Sequence, residues 1–244
     1  MNHAHLLKCV CLLVLGAAGM PLKTEGETEF SPLLGQKGRL LFADDFDAPA
    51  AKPEWQALHG TRWSVEKGVF RGIPSTREFQ AQRSDHTGST PSMTLVTPMR
   101  DGIVQMSFKL SGKLHAAHFG FNEGTTTETS GHVCRVTIST RDGVALVKDR
   151  NSQVEGDADE TLATDPWKPE LEHWHVLVME VRGDQFTAQI AGGPTLRGRH
   201  PRLAVPKGWL NLKSRGGEGA LSYDNVRIWE LLPAPELKNQ KSGK

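Results

Sequence analysis

Short runs in which apolar and polar residues alternate recur along most of this chain. The clearest is Gly102–Leu110, in which every second side chain from position 104 onward is apolar and the residues between them are polar. Strict alternation places the two sets of side chains on opposite faces of a β-strand. Glycine-containing turns separate the runs, and no long stretch has the 3.6-residue period of a helix. The pattern predicts an all-β domain, either a sandwich or a barrel.

The predicted strands fill most of the chain between residues 40 and 231. In chain order they are Leu40–Phe46, Arg62–Val65, Val69–Gly72, Met93–Val96, Gly102–Leu110, His115–Phe121, His132–Ser139, Val144–Lys148, Glu172–Val181, Gln185–Ala191, Trp209–Lys213 and Leu221–Leu231. The polar, acidic stretch 151–170 is the longest interruption and is predicted to be a loop. The run 174–181 is apolar on both faces, which indicates a central strand.

The two ends of the chain differ in composition from this region. Residues 1–18 contain a short polar start, an apolar run and small residues suited to cleavage, so they predict a signal peptide and an exported protein, periplasmic or extracellular. An uncleaved anchor is the alternative. We expect a linker at 19–38, one domain at 39–232 and a disordered tail at 233–244. The mature protein is expected to be a monomer without a membrane span, in which Cys134 is a buried hydrophobe.

Charge narrows the choice of partner. The chain has 29 lysines and arginines against 28 aspartates and glutamates, and no long basic run lies outside the tail. This balance argues against nucleic acid as the partner. It favours an uncharged partner, and a sugar is one.

Four segments carry a resemblance to a known family. They read LFADDF (41–46), GTRWSVEKGVFRG (60–72), EHWHVLVMEVRGDQFTAQIAGG (172–193) and GWLNLKSRGGEGALSYDNVRIWEL (208–231). Their order resembles the concanavalin A-like jelly roll and, more narrowly, the 3-keto-disaccharide hydrolase domain family. The resemblance implies a two-sheet antiparallel sandwich whose concave sheet faces a glycan. At HAAHFGFNEG and HVCRVTIS the chain differs from better-known members, with His132 and Arg135 in place of acidic and amide residues.

Strand alternation predicts a polar floor on the concave sheet. His118 shares a face with Gly120 and Asn122, and Arg135 lies opposite the apolar face of its own strand. We therefore predict that His118 transfers protons, as the catalytic residue. The expected substrate-binding residues are Gln105, Asn122, Arg135, Lys148 and Asp149. The alternative is a face that is merely solvated.

Two aspartates near the terminal strands are candidates for a structural calcium ion. The resemblance implies that Asp224, before the VRI strand, supplies a carboxylate ligand, and Asp45 is a looser match. The alternative for both is a turn-capping role. His173 and His175 share a face, but we interpret them as hydrogen-bonded structural residues rather than metal ligands.

Other acidic and aromatic residues are candidates for glycoside cleavage or for stacking on a sugar ring. Glu155, Asp157 and Glu160 have the spacing of a glycosidase strand motif, but their polar neighbours favour a loop. Of Trp55, Trp63, Trp167 and Trp209, we expect one at most to stack on a sugar.

Two functions remain open at this point. The first is a glycoside hydrolase or lyase-like enzyme that acts on a keto-disaccharide or another glycan. The second is a non-catalytic glycan-binding module. A structural or protein-binding role is a third, weaker alternative.

Overall fold

The computed structural model describes residues 30–124 and 131–234, which form an antiparallel β-structure with one short α-helix and one 3-10 turn. The elements are β1 (Gln36–Asp44), β2 (Trp55–Ala57), β3 (Arg62–Glu66), β4 (Val69–Ile73), α1 (Arg77–Ala81), β5 (Ser92–Met99), β6 (Gly102–Asn122), β7 (His132–Ser139), β8 (Gly143–Lys148), β9 (Glu160–Asp165), β10 (His175–Arg182), β11 (Gln185–Ile190), β12 (Thr195–Arg199), the 3-10 turn (Pro201–Ala204) and β13 (Lys207–Leu232).

Two long strands, β6 and β13, pair along almost their whole length and belong to both layers of the sandwich. The second half of β6 and the first half of β13 form the centre of one layer, with β7, β8 and β9 on one side and β5 and β2 on the other. We call this layer the front sheet. The other halves form the centre of the back sheet, flanked by β10, β11 and β12 and by β1, β4 and β3.

Glycines allow both long strands to pass from one layer to the other. Gly112 has φ +69°, and a Cβ atom there would lie 3.0 Å from the Cα of Gly219. At Gly219, a Cβ atom would lie 2.3 Å from the carbonyl oxygen of Ser111. The register of the pair shifts on either side of Gly216. Only residues without a side chain permit so close a backbone approach, so the bend depends on glycine.

The two sheets enclose one hydrophobic core, and β7 shows how alternation builds it. Cys134, Val136 and Ile138 are fully buried, whereas Arg135 and Thr137 are partly exposed on the opposite face. The predicted all-β sandwich is therefore confirmed, and so is the phase of this strand from Cys134 to Ile138. At its start the phase is reversed, because Val133 is buried and His132 is exposed. Cys134 is a buried cysteine outside any disulfide, and burial raises the pKa of its thiol to about 12.

The strand boundaries differ from the sequence prediction in informative places. The predicted strands Gly102–Leu110 and His115–Phe121 are one strand, β6, because Gly112 forms an irregularity within it rather than a turn. The strands β2, β9 and β12 were not predicted, and β9 lies inside the predicted loop 151–170. Most side chains of β9 and β12 are exposed or half-exposed, so hydrophobic alternation is too weak to reveal them.

The residues before β1 contact the back sheet. The backbone N–H groups of Leu33 and Leu34 each donate to the buried Glu180 carboxylate at 2.8 Å, and Arg182 donates to the carbonyl of Leu34 at 2.6 Å. Part of the predicted linker is thus bound to the sheet, and β1 begins at Gln36.

The predicted signal peptide lies outside the described residues. Within 30–124 and 131–234, no helix is long and apolar enough to cross a membrane.

Candidate functional site

A pocket of about 540 Å³ opens on the outer face of the front sheet, and we call it the front pocket. Its floor comes from β6, β7 and β13, and its wall from the loop between β8 and β9. The lining residues are His118, Gly120, Asn122, His132, Arg135, Asp149, Arg150, Ser152, Asp159, Asn211, Lys213, Ser214 and Arg215.

Strand register fixes the order of side chains on the pocket floor. His118 of β6 lies opposite Lys213 of β13. One step along, Gly120 lies between Arg135 of β7 and Asn211 of β13. A Cβ atom at Gly120 would already lie 3.4 Å from the Cβ of Arg135. The glycine therefore leaves open the centre of a floor that polar side chains surround.

His118 is a neutral imidazole at the base of the front pocket. Its Nδ1 lies 3.0 Å from the hydroxyl of Thr137, and its Nε2 is buried and has no hydrogen-bond partner among the described residues. Burial lowers the pKa of His118 most, and the positive charges of Arg215 and Arg135 lower it further, to about 3. The ring is therefore uncharged at neutral pH, and its Nε2 atom has no hydrogen-bond partner among the described residues.

Arg135 holds both carboxylates that line the pocket among the described residues. Its guanidinium contacts the buried carboxylate of Asp149 and donates to Asp159 Oδ2 at 2.8 Å. The N–H of Arg150 donates to the other oxygen of Asp159, also at 2.8 Å. Burial by itself would raise the pKa of Asp159, but the hydrogen bonds from Arg135 and Arg150 outweigh it and hold this pKa below its ordinary value. Asp149 and Asp159 are thus both paired with Arg135 within the protein.

The rest of the lining offers hydrogen-bonding groups to a ligand. Asn122 Oδ1 lies 3.1 Å from Nδ1 of His132, whose ring is exposed. The Oδ1 of Asn211 is buried and has no hydrogen-bond partner among the described residues. Lys213, two residues along β13 from Asn211, also lines the pocket and forms no ion pair within the described part of the chain. Such amide, imidazole and ammonium groups bind sugar hydroxyls.

The structure brings four of the six predicted catalytic and substrate-binding residues into this pocket. They are His118, Asn122, Arg135 and Asp149. The remaining two lie elsewhere.

Lys148 is not part of the pocket, so its predicted position is wrong. It pairs with Cys134, whose side chain faces the core, and directly paired residues share a face. Its buried ammonium group contacts Asp157 and donates to the carbonyl of Ala158 at 3.0 Å. Lys148 therefore holds the loop that forms the pocket wall.

Gln105 is also misplaced by the prediction. It is buried on the half of β6 that belongs to the back sheet, opposite Val178 of β10 and Arg227 of β13. Its side chain does point away from the core, as alternation predicts. However, the outer faces of the two sheets lie on opposite sides of the molecule, so Gln105 is remote from the pocket.

The predicted calcium ligands are engaged in protein contacts. Asp45 contacts the guanidinium of Arg227, and Asp224 accepts a hydrogen bond from the N–H of Asn225 at 2.7 Å. The described residues include no group of three or more acid, histidine or cysteine side chains that could hold a metal. These side chains alone do not make a calcium site, and the ion stays a prediction from the resemblance.

Sequence reasoning missed the neighbouring Asp44, which organises the end of β1. Its carboxylate accepts from the N–H of Phe46 at 3.1 Å, from the N–H of Lys52 at 3.2 Å and from Trp55 Nε1 at 3.0 Å. The turn-capping role that was the alternative for Asp45 belongs to Asp44.

The other candidates have structural surroundings. His175 lies 3.0 Å from the carbonyl of Glu170, and His173 contacts the Glu170 carboxylate, in keeping with structural roles. The acidic triplet does not share one strand, because only Glu160 belongs to β9. None of Trp55, Trp63, Trp167 and Trp209, of which one at most was expected to stack on a sugar, lines the front pocket.

Sequence reasoning also missed three lining residues on β13, namely Asn211, Lys213 and Arg215. Their signal was present, because they alternate with the buried residues Leu210 and Leu212. The same alternation that identified His118 would have placed them on the open face.

Comparison with known proteins identifies the fold. No protein-family model matches the chain, and no curated protein sequence matches it. Among solved structures, the carbohydrate-binding module CBM66 from Bacillus subtilis is similar, with a TM-score of 0.53 and 14% identity over 75% of this chain and 100% of that one.

Two glucanases are similar in the same way. The endo-β-1,3(4)-glucanase SCLam of family GH16 has a TM-score of 0.53 and 13% identity, over 82% of this chain and 94% of its own. The β-glucanase of Bacillus licheniformis has a TM-score of 0.54 and 11% identity, over 81% of this chain and 100% of its own. At such identities the likeness is one of fold. The chain is an antiparallel jelly roll, and it shares this fold with a carbohydrate-binding module and with two glucanases.

Proposed function

We propose that this protein binds a glycan in the front pocket and does not cleave it. The observation that carries the proposal is the double engagement of Arg135, whose guanidinium pairs with Asp149 and Asp159 together. Glycoside hydrolysis by paired carboxylates needs one of them protonated as an acid and the other available as a nucleophile or base. An arginine bound to both keeps these carboxylates paired within the protein, and the pKa of Asp159 is held below its ordinary value, which suits binding rather than acid catalysis.

The size and chemistry of the pocket support a sugar as the ligand. A volume of about 540 Å³ lies within the usual range for small-molecule sites. The lining combines amide, imidazole, guanidinium and ammonium groups, which bind hydroxyl groups as donors and acceptors. The fold is shared with a carbohydrate-binding module, which adds support from analogy.

Binding is tested with the purified full chain on a glycan array, followed by calorimetric titration of the best ligand. His132 is exposed at the pocket, so His132→Ala removes a lining group with little risk to the fold. We expect it to weaken binding by roughly tenfold, the loss of about one good hydrogen bond. The matched control is His173→Ala, because His173 is an exposed histidine outside the pocket. Equal effects of the two substitutions, or no ligand on the array, would refute the proposal.

A second function, that of a keto-disaccharide hydrolase or lyase-like enzyme, is favoured by one observation. The Nε2 atom of His118 is buried and has no hydrogen-bond partner among the described residues. In the tautomer that carries its proton on Nδ1, Nε2 is unprotonated and would be the atom that takes the proton from the carbon next to a sugar ketone. The electron pair of that C–H bond then forms a C=C bond, and the adjacent glycosidic C–O bond breaks with the pair on the departing oxygen. The resemblance to the 3-keto-disaccharide hydrolase domain family points the same way.

Product release distinguishes the two functions. The full chain is incubated with a 3-keto-disaccharide and with the parent disaccharide, and free sugars are measured over time. Binding without release supports the module. Release from the keto sugar that disappears in His118→Ala supports the enzyme and overturns our first proposal.

Export and calcium binding are two further proposals. Export rests on the composition of residues 1–18 and is tested by the N-terminal sequence of the secreted protein. Calcium rests on the resemblance at Asp224, and a rise in Tm on adding Ca²⁺ that is lost in Asp224→Asn would support it.

A further inference from the structure

The charges that line the front pocket do not balance. Four cationic side chains line it, against two carboxylates from the described residues. The cations are Arg135, Arg150, Lys213 and Arg215. The near-zero net charge of the whole chain therefore conceals a local excess of positive charge.

Arg135 forms ion pairs with both carboxylates, so neither of them neutralises the other cations. Asp149 and Asp159 each pair with its guanidinium. Neither carboxylate forms an ion pair with Lys213 or Arg215, and these two cations have no ion-pair partner within residues 30–124 and 131–234. The local positive charge is thus left without a counter-charge from the described protein.

Lys213 is the cation for which this matters most. Its side chain is half-buried, and burial, followed by the positive charge of Arg135, lowers its pKa below the ordinary value. A cation that has lost part of its hydration without gaining a partner destabilises the empty pocket. A negatively charged ligand group beside Lys213 would offset that cost.

The spacing of the cations suits a single anionic group. Lys213 and Arg215 are two residues apart on β13, where the register with β6 is regular, so both point to the same face about 7 Å apart. Asn211 continues the row on the other side of Lys213. Gly120, where the floor is open, lies opposite Asn211, one step along this row from Lys213.

We propose that the glycan ligand of the front pocket carries an acidic group, a carboxylate or a sulfate ester, which binds against Lys213 and Arg215. The proposal rests on glycan binding in this pocket as argued above, and it names the ligand class. An acidic glycan replaces the uncharged sugar that the composition of the chain favours.

The test compares matched glycans on the full chain by calorimetric titration. The acidic probes are trigalacturonic acid and a sulfated carrageenan tetrasaccharide, and the uncharged partners are the trimethyl ester of the first and the desulfated form of the second. We expect at least one acidic probe to bind roughly tenfold or more tightly than its uncharged partner. Which acidic probe does so identifies the carboxylate or the sulfate as the anion. Raising NaCl from about 0.05 to about 0.5 M should weaken acidic binding only.

Substitutions assign the effect to the cation row. Lys213→Met keeps the length of the side chain and removes its charge, so it should abolish the preference for the acidic probe, whereas Lys213→Arg should retain it. Lys109→Met is the matched control, because Lys109 lies on β6 outside the front pocket. Circular dichroism and Tm show that each variant is folded.

The failures of the two proposals are distinct. If the uncharged glycans bind as tightly as the acidic ones, or Lys213→Met leaves the preference intact, the acidic ligand is refuted while glycan binding stands. If no glycan binds, acidic or uncharged, the proposed function itself fails.

Discussion

His118 and Lys213 lie directly opposite each other on β6 and β13, so an imidazole and an ammonium group share the floor of the front pocket. Both are partly buried, and the pKa of each is lowered chiefly by burial. At neutral pH the imidazole is therefore uncharged and the ammonium group gives the pocket floor a positive charge. The dependence of the unfolding free energy on pH tests this arrangement directly.

Stability should fall in acid because of His118. Its pKa is about 3 in the folded protein and about 6.5 in the unfolded chain, so the unfolded state takes up the proton first as the pH falls below 6.5. The contribution is fully present above pH 6.5 and is lost progressively towards pH 3. Between pH 7 and 4.5, the unfolding free energy of the wild type should fall by about 2 kcal/mol more than that of His118→Gln. Urea denaturation at both pH values measures this, and equal falls would contradict it.

Removing Arg135 should destabilise the protein. Arg135→Met leaves the buried carboxylate of Asp149 without a counter-charge, which should cost about 3 kcal/mol of unfolding free energy. Asp159→Asn is the control, since Asp159 is half exposed and its loss should cost less than about 1 kcal/mol. The double variant Arg135→Met with Asp149→Asn should recover part of the loss. A small effect of Arg135→Met in denaturant titrations would argue against a tight pair.

The ion pair between Lys148 and Asp157 should respond asymmetrically to substitution. The Lys148 side chain is 5% exposed and that of Asp157 is 23% exposed, so the lysine depends more on its partner. Asp157→Asn should cost about 2 kcal/mol because it leaves a buried ammonium group unpaired, whereas Lys148→Met should cost less than about 1 kcal/mol. Thermal unfolding compares them. The reverse order would show that Asp157 is the partner that needs the charge.

Asp44 should matter far more than its neighbour Asp45. Asp44→Ala removes the acceptor of three N–H groups, including Trp55 Nε1, and should cost about 3 kcal/mol. Asp45→Ala removes a half-exposed ion pair with Arg227 and should cost no more than about 1 kcal/mol. Guanidinium denaturation of the two variants measures the difference. Similar losses would indicate an unrecognised role for Asp45.

The sequence predicted the fold class well because alternation is strong where a strand lies against the core. On β7 the apolar residues Cys134, Val136 and Ile138 marked the buried face, and Arg135 was placed correctly. The edge strands β9 and β12 escaped prediction because exposed strands need no apolar face.

The site was predicted in part, and each error has a physical cause. Lys148 has the same phase in β8 as the buried Val144 and Leu146, so its phase already indicated the core side, and the polarity of the residue obscured that signal. For Gln105, alternation correctly predicted that the side chain points away from the core, but the residue lies on the back sheet and not on the front sheet. Alternation within one strand cannot reveal that Gly112 carries the same strand from one layer into the other.

The passage of β6 and β13 through both layers has a consequence for the rigidity of the front pocket. Neither sheet can separate from the core without breaking the same two central strands, so the domain should unfold as one cooperative unit whose β6 and β13 amides exchange with solvent last. The floor of the front pocket belongs to that most protected region. A glycan bound there, as we propose, would have to match the charges and outline of that floor, because its backbone adjusts little.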